Sequence, residues 1–256
     1  MKTKARIADE KPEYAGSVRY PATRWSLVQA AGDGDQEALN TLFEAYWFPV
    51  YGAFFDKVKN HHDAEDLTQK LFSDFYRRED LAAMAPENGR FRSFLKVAAD
   101  HLHCNFVDEK TALKRGGDKP TFSVDADKAK EWLLQESAHL SDPSEIFDRR
   151  LLYSILETAK TNLRHILTEQ GKAEVYDALE DALLPQAREH PFEVIAQRLN
   201  QTPGAARVTA YRVREQYRQQ IRMGFLRIVE SIEEAEEELL YFSSLVGIDL
   251  SNPIPQ

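Results

Sequence analysis

From Thr23 to Lys114 apolar side chains recur at intervals of three and four, the period at which one face of an α-helix is buried. Trp25, Leu27 and Val28 open a first helix, for which Thr23 is the expected N-cap. After the GDGD break at 32–35, Ala38, Leu39, Leu42, Phe43, Tyr46 and Trp47 mark a second helix. Val50, Tyr51, Phe54 and Phe55 carry its apolar face beyond Pro49. In HHDAEDLTQKLFSDFY, residues 61–76, the stripe is Ala64, Leu67, Leu71, Phe72, Phe75 and Tyr76. Asp63 is placed to cap this helix, and Glu65 and Asp66 fall in its first turn, where carboxylates meet the positive end of the helix dipole. The PENG turn leads to another stripe of Phe91, Phe94, Leu95, Ala98, Leu102 and Phe106.

Between Arg115 and Pro143 the periodicity fades into a glycine-, proline- and charge-containing stretch suited to a linker. Helical patterns then resume in SEIFDRRLLYSILETAKTNLRHIL, in KAEVYDALEDALL after Gly171, in HPFEVIAQRLN and in QTPGAARVTAYRVREQYRQQIRM. No hairpin signal interrupts them. The expected fold is all-α, with two helical domains joined by a flexible linker: a loose segment at 1–20, a first domain at 21–114, the linker at 115–142, a second domain at 143–224 and an acidic extension at 225–256.

The most specific local pattern lies in the second domain. A short helix, a turn containing Gly204 and a longer basic helix match a helix-turn-helix. Phe192, Ile195, Ala196 and Leu199 would pack the first helix, and Ala206, Ala210, Val213 and Tyr217 the second. Arg207, Thr209, Arg212, Arg214 and Arg218 spread over the rest of the second helix, offset only by Glu215, and Thr202 stands at its start. Such an imbalance suits phosphates and guanine edges better than it suits an ordinary solvated face.

Composition narrows the setting. The formal net charge is -9, so a chain coated in nucleic acid over its whole surface is disfavoured and local basic patches matter more than the sum. A single cysteine, Cys104, permits no intramolecular disulfide, and neither a signal-peptide core nor a membrane-length apolar run is present; a cytoplasmic protein without a membrane partner is expected.

The histidines and carboxylates at 61–66 also raise a metal reading. A phosphohydrolase of the HD type would use a His-Asp pair such as His62 and Asp63, but it needs an upstream histidine and His61 is the first in the chain. His101, His103 and Cys104 sit one and two residues apart on a helix and point in different directions, so they do not compose a zinc site. Neither a metal, a cofactor nor a catalytic residue is expected.

Three segments, in order, resemble a family: the RNA polymerase sigma factors of the extracytoplasmic-function type, within the sigma-70 family. DAEDLTQKLF is similar to the helix that grips the clamp helices of the polymerase β′ subunit, RFRSFLKVAADHLHCNFVDEK to the minus-ten-reading and melting segment, and FEVIAQRLNQTPGAARVTAYRVREQYRQQI to the helix-turn-helix that reads the minus-thirty-five element. TRWSLV and GRFRSFL further resemble a subgroup abundant in planctomycete-like bacteria.

The resemblance implies that Asp66 and Gln69 contact polymerase, supported by Asp63 and Glu65, with Lys70 standing where the family usually has a glutamate. Arg90, Arg92 and Lys96 become expected phosphate contacts, and His101, Asn105 and Asp108 expected contacts to exposed bases. Val97 and Ala98 occupy the positions of the housekeeping tryptophan pair, so melting would rely on base capture. The implied partners are core RNA polymerase, through the β′ clamp helices and the β flap, promoter DNA, and an anti-sigma factor as a further candidate. The rival expectation is a stand-alone helix-turn-helix regulator that does not bind core polymerase. The acidic extension either packs on the second domain or, through Glu233, Glu234, Glu236, Glu237 and Glu238, competes with DNA for the arginines as a brake.

Overall fold

The computed structural model describes residues 23–77, 81, 90–112, 143–183 and 192–250. Among them there is no strand, and the chain is all-helical. It divides into two compact units between Pro143 and Ser144. The segments expected as a loose N-terminus and a linker lie outside the described residues.

The first unit holds α1 (Trp25–Gly32), α2 (Gln36–Val58), α3 (His61–Arg77) and α4 (Phe91–Ala112). The Asp35 carboxylate caps α2, accepting from the amides of Glu37 at 2.9 Å and Ala38 at 3.1 Å, an arrangement that contributes about 1 kcal/mol. The helix continues through Pro49, although the proline ring has no N–H to donate to the preceding turn. Residues Tyr46, Trp47, Phe48, Pro49, Val50 and Tyr51 are all buried in succession. Burial on all sides thus surrounds the lost bond with apolar contacts, and α1, α3 and α4 all pack against α2. Aromatic edges knit these contacts: Phe43 meets Phe72 with ring centroids 4.8 Å apart, and Tyr46 meets Phe91 at 5.3 Å.

Thr23 does not cap α1, whose N-cap is Arg24 without a side-chain bond. Instead Thr23 is buried, and its hydroxyl accepts from the Phe91 amide at 3.0 Å. A residue just ahead of the first helix thereby satisfies an orphan donor at the start of the fourth.

The second unit comprises α5 (Pro143–Glu169), α6 (Ala173–Leu179), a 3-10 turn at Glu180–Ala182, α7 (Phe192–Arg198), α8 (Pro203–Leu226) and α9 (Ile232–Val246). α8 touches α6, α7 and α9. It also lies close to α5: a Cβ on Gly224 would stand 2.7 Å from the Ile155 Cγ2, so glycine is what permits the approach. The Tyr217 hydroxyl donates to the Leu156 carbonyl at 3.2 Å, and burial pushes this phenol far above its ordinary range.

α9, the acidic extension, is an integral part of this unit. Ser231 caps it by accepting from the Glu234 amide at 3.1 Å, and Gly247 ends it in the left-handed region at φ 67°. The Tyr241 hydroxyl donates to Asp148 at 2.7 Å, Arg149 donates to the Leu245 carbonyl at 2.6 Å, and Phe242 packs on Phe225. No helix among the described residues is long and apolar enough to cross a membrane.

Candidate nucleic-acid interface

The turn from α7 to α8 is built locally. The Gln201 amide donates to the Ala196 carbonyl at 2.8 Å while Asn200 takes the left-handed region at φ 49°, closing α7. Thr202 caps α8 by accepting from the Ala205 amide at 3.3 Å, and Pro203 occupies the first helical position, where a missing N–H does no harm. Gly204, expected in the turn, lies instead in the first turn of the helix, where a Cβ would meet nothing within 4 Å. The Thr209 hydroxyl donates to the Gln201 side chain at 3.1 Å and ties the helix back to the turn.

Ala206, Ala210, Val213 and Tyr217 form the buried stripe that the periodicity predicts, with Ile195 and Ala196 buried on α7. The arginines divide into two groups. Arg207 and Arg212 are exposed, the former with its guanidinium 5.0 Å from the centre of the Phe192 ring. Arg214 is half-buried and donates its Nε to the Ala182 carbonyl at 2.8 Å, with burial lowering its pKa. Arg218, also half-buried, pairs with Glu215 one turn away. Two of the four arginines of α8 expected at DNA thus make contacts within the unit itself. Val208 and Tyr211, which charge-based reading passes over, are exposed between Arg207 and Arg212.

In the first unit α3 buries Ala64, Leu67, Thr68, Leu71, Phe72 and Phe75. Asp63, Glu65, Asp66, Gln69 and Lys70 remain half-buried outside that stripe. The cap is Asn60 rather than Asp63: the Asn60 side chain accepts from the Asp63 amide at 3.1 Å, which places Asp63 inside the first turn. His61 is committed to packing, with Nδ1 2.6 Å from the Tyr51 hydroxyl and its ring stacked on Phe55 at 4.4 Å. No group of three or more His, Cys, Asp or Glu among the described residues is arranged to hold a metal.

On α4, His101, Asn105 and Asp108 are exposed at spacings of four and three, and so share a face. Arg90 and Lys96 are half-buried. Arg92 departs from expectation: it is only 5% exposed, because it falls on the inward stripe of Leu95, Ala99 and Leu102, and the folded unit does not offer it to phosphate. Val97 is half-buried and Ala98 buried. His103 is half-buried beside the Lys57–Asp100 ion pair; burial and then the Lys57 charge hold its pKa below the ordinary value, against an opposing pull from Asp100. Cys104 is exposed.

The acidic residues of α9 lie toward the other end of α8. Glu236 pairs with Arg222, Glu238 is buried, and Glu234 accepts from the Glu230 amide at 2.8 Å. One ion pair between α9 and α8 is that of Glu236 with Arg222, in the later part of α8 and away from the exposed arginines Arg207 and Arg212 in sequence.

Comparison of the chain with protein-family models, with curated proteins and with solved structures returns no match.

Proposed function

We propose that the chain is an alternative sigma factor, which binds core RNA polymerase and directs it to particular promoters. The observation that carries this reading is the second unit's short helix, capped turn and longer helix with Arg207 and Arg212 on its exposed front. The arrangement serves, in this reading, as a helix-turn-helix, whose second helix would enter a major groove. In this reading the half-exposed strip of α3, centred on Asp66 and Gln69, docks the β′ clamp helices, and the second unit meets the β flap. The exposed row His101, Asn105 and Asp108 meets unpaired bases of the minus-ten element.

Such a protein performs no covalent chemistry. Its binding energy toward an unpaired strand and toward a duplex element offsets the cost of opening base pairs. Holding both units on one polymerase raises the effective concentration of each at a single promoter. Affinity for free DNA is weak, because few arginines reach the surface of α8 and the chain is acidic as a whole.

The test is co-purification of the full chain with bacterial core RNA polymerase, comparing the wild type with the Asp66→Ala, Gln69→Ala double variant. The wild type should form a stable complex and the variant should lose it while remaining folded, since both side chains lie outside the buried stripe. A folded wild type that binds duplex DNA but no core polymerase would transfer the reading to a stand-alone regulator.

A further inference from the structure

The exposed front of α8 is not purely basic. Val208 and Tyr211 are 51% and 46% exposed, at a spacing that puts them on one face. Arg207 precedes Tyr211 by four residues and Arg212 follows Val208 by four, so the two apolar side chains sit within a frame of two cations. The buried stripe of Ala206, Ala210 and Val213 already supplies the contact with the unit, and neither Val208 nor Tyr211 belongs to it.

A single exposed apolar side chain calls for no partner. Two of them enclosed by arginines at the capped start of a helix do select among surfaces. The complementary surface carries negative charge at its edges and an apolar projection between them. In the major groove of duplex DNA the phosphates supply the first, and the C5-methyl of thymine is the apolar group on the base edges. Gly204 and Ala205, both exposed in the first turn, add no bulk that would hold the helix away from the groove.

We propose that Val208 and Tyr211 are specificity-determining residues that read thymine methyl groups in the major groove, between the contacts of Arg207 and Arg212. The proposal rests on the DNA-binding reading above and assigns to it a base preference and two residues. The base preference is carried by apolar contact, and Arg214 and Arg218 contribute none of it.

The test uses the full chain. Rounds of binding at low salt from a pool of random duplexes should enrich sites with thymine at one or two fixed positions. Replacing each such thymine by deoxyuridine removes only the methyl and should weaken wild-type binding about fourfold per position, the value of burying one such group. Val208→Ala and Tyr211→Ala should each erase the thymine-to-deoxyuridine difference at one position while the duplex still binds. Arg212→Ala should weaken both duplexes by the same factor. Equal wild-type affinity for the two duplexes at every position, or a methyl preference surviving in both variants, overturns the proposal and leaves DNA binding standing. A folded wild type that enriches no duplex either alone or together with core RNA polymerase overturns the DNA-binding reading and the proposal with it.

Discussion

α3 in the first unit and α8 in the second are both amphipathic helices with a periodic apolar stripe, yet they expose their charged residues to different degrees. On α3 the candidate docking residues Asp63, Glu65, Asp66, Gln69 and Lys70 all remain half-buried beside the stripe. On α8 the arginines split: Arg214 and Arg218 are engaged by the Ala182 carbonyl and by Glu215, while Arg207 and Arg212 stay exposed. A count of charges along a helix therefore overstates its binding surface whenever some of them lie next to the inward stripe. Charge that an element shows to a partner is what remains after its own packing has been satisfied.

The sharpest way to break this comparison is to exchange the roles of two arginines. Arg214→Ala leaves the buried Ala182 carbonyl without its donor and should destabilise the second unit by about 2 kcal/mol, read as a lower unfolding midpoint. Arg212→Ala should leave that midpoint within about 0.5 kcal/mol and instead weaken duplex binding, with the salt dependence reduced by about one phosphate contact. If both variants behaved alike, the division of the arginines would be wrong.

A smaller effect separates cap from surface on α3. Asn60→Ala should cost about 1 kcal/mol of stability, because it removes the acceptor for the Asp63 amide. Asp66→Ala should cost less in the same denaturant titration.

The smallest effect concerns pH. His103 has a folded-state pKa below its unfolded value, so the folded chain resists a proton that the unfolded chain accepts. Its contribution is full above the ordinary imidazole range near 6.5 and is lost as pH falls through that range toward the folded value. Between pH 7.5 and 5.5 the unfolding temperature of the wild type should fall slightly more than that of His103→Gln.

Much of the fold is legible along the chain because it rests on local periodicity. The stripe of Ala206, Ala210, Val213 and Tyr217 follows from spacing alone, as does that of Leu67, Leu71, Phe72 and Phe75. What spacing does not show is where a polar side chain finds a distant partner. Thr23 has the chemistry of a cap, but the amide it serves belongs to Phe91, 68 residues away. Arg214 bonds a carbonyl 32 residues away.

A signal was available for two of the arginines that pack within their own unit. Arg92 lies three residues before Leu95 and seven before Ala99, and Arg214 lies four after Ala210 and three before Tyr217, so both fall on buried stripes. Asn60 and Asp63 compete for one cap, and only the backbone geometry decides between them.

The measurement that bears most directly on the central claim is transcription in vitro from a library of the source genome, with purified bacterial core RNA polymerase and the full chain. The account predicts transcripts with defined starts that appear only when the chain is added, vanish with Asp66→Ala, Gln69→Ala, and weaken with Arg212→Ala. Contradiction would be a folded, duplex-binding chain that leaves the pattern of transcripts from a competent core unchanged.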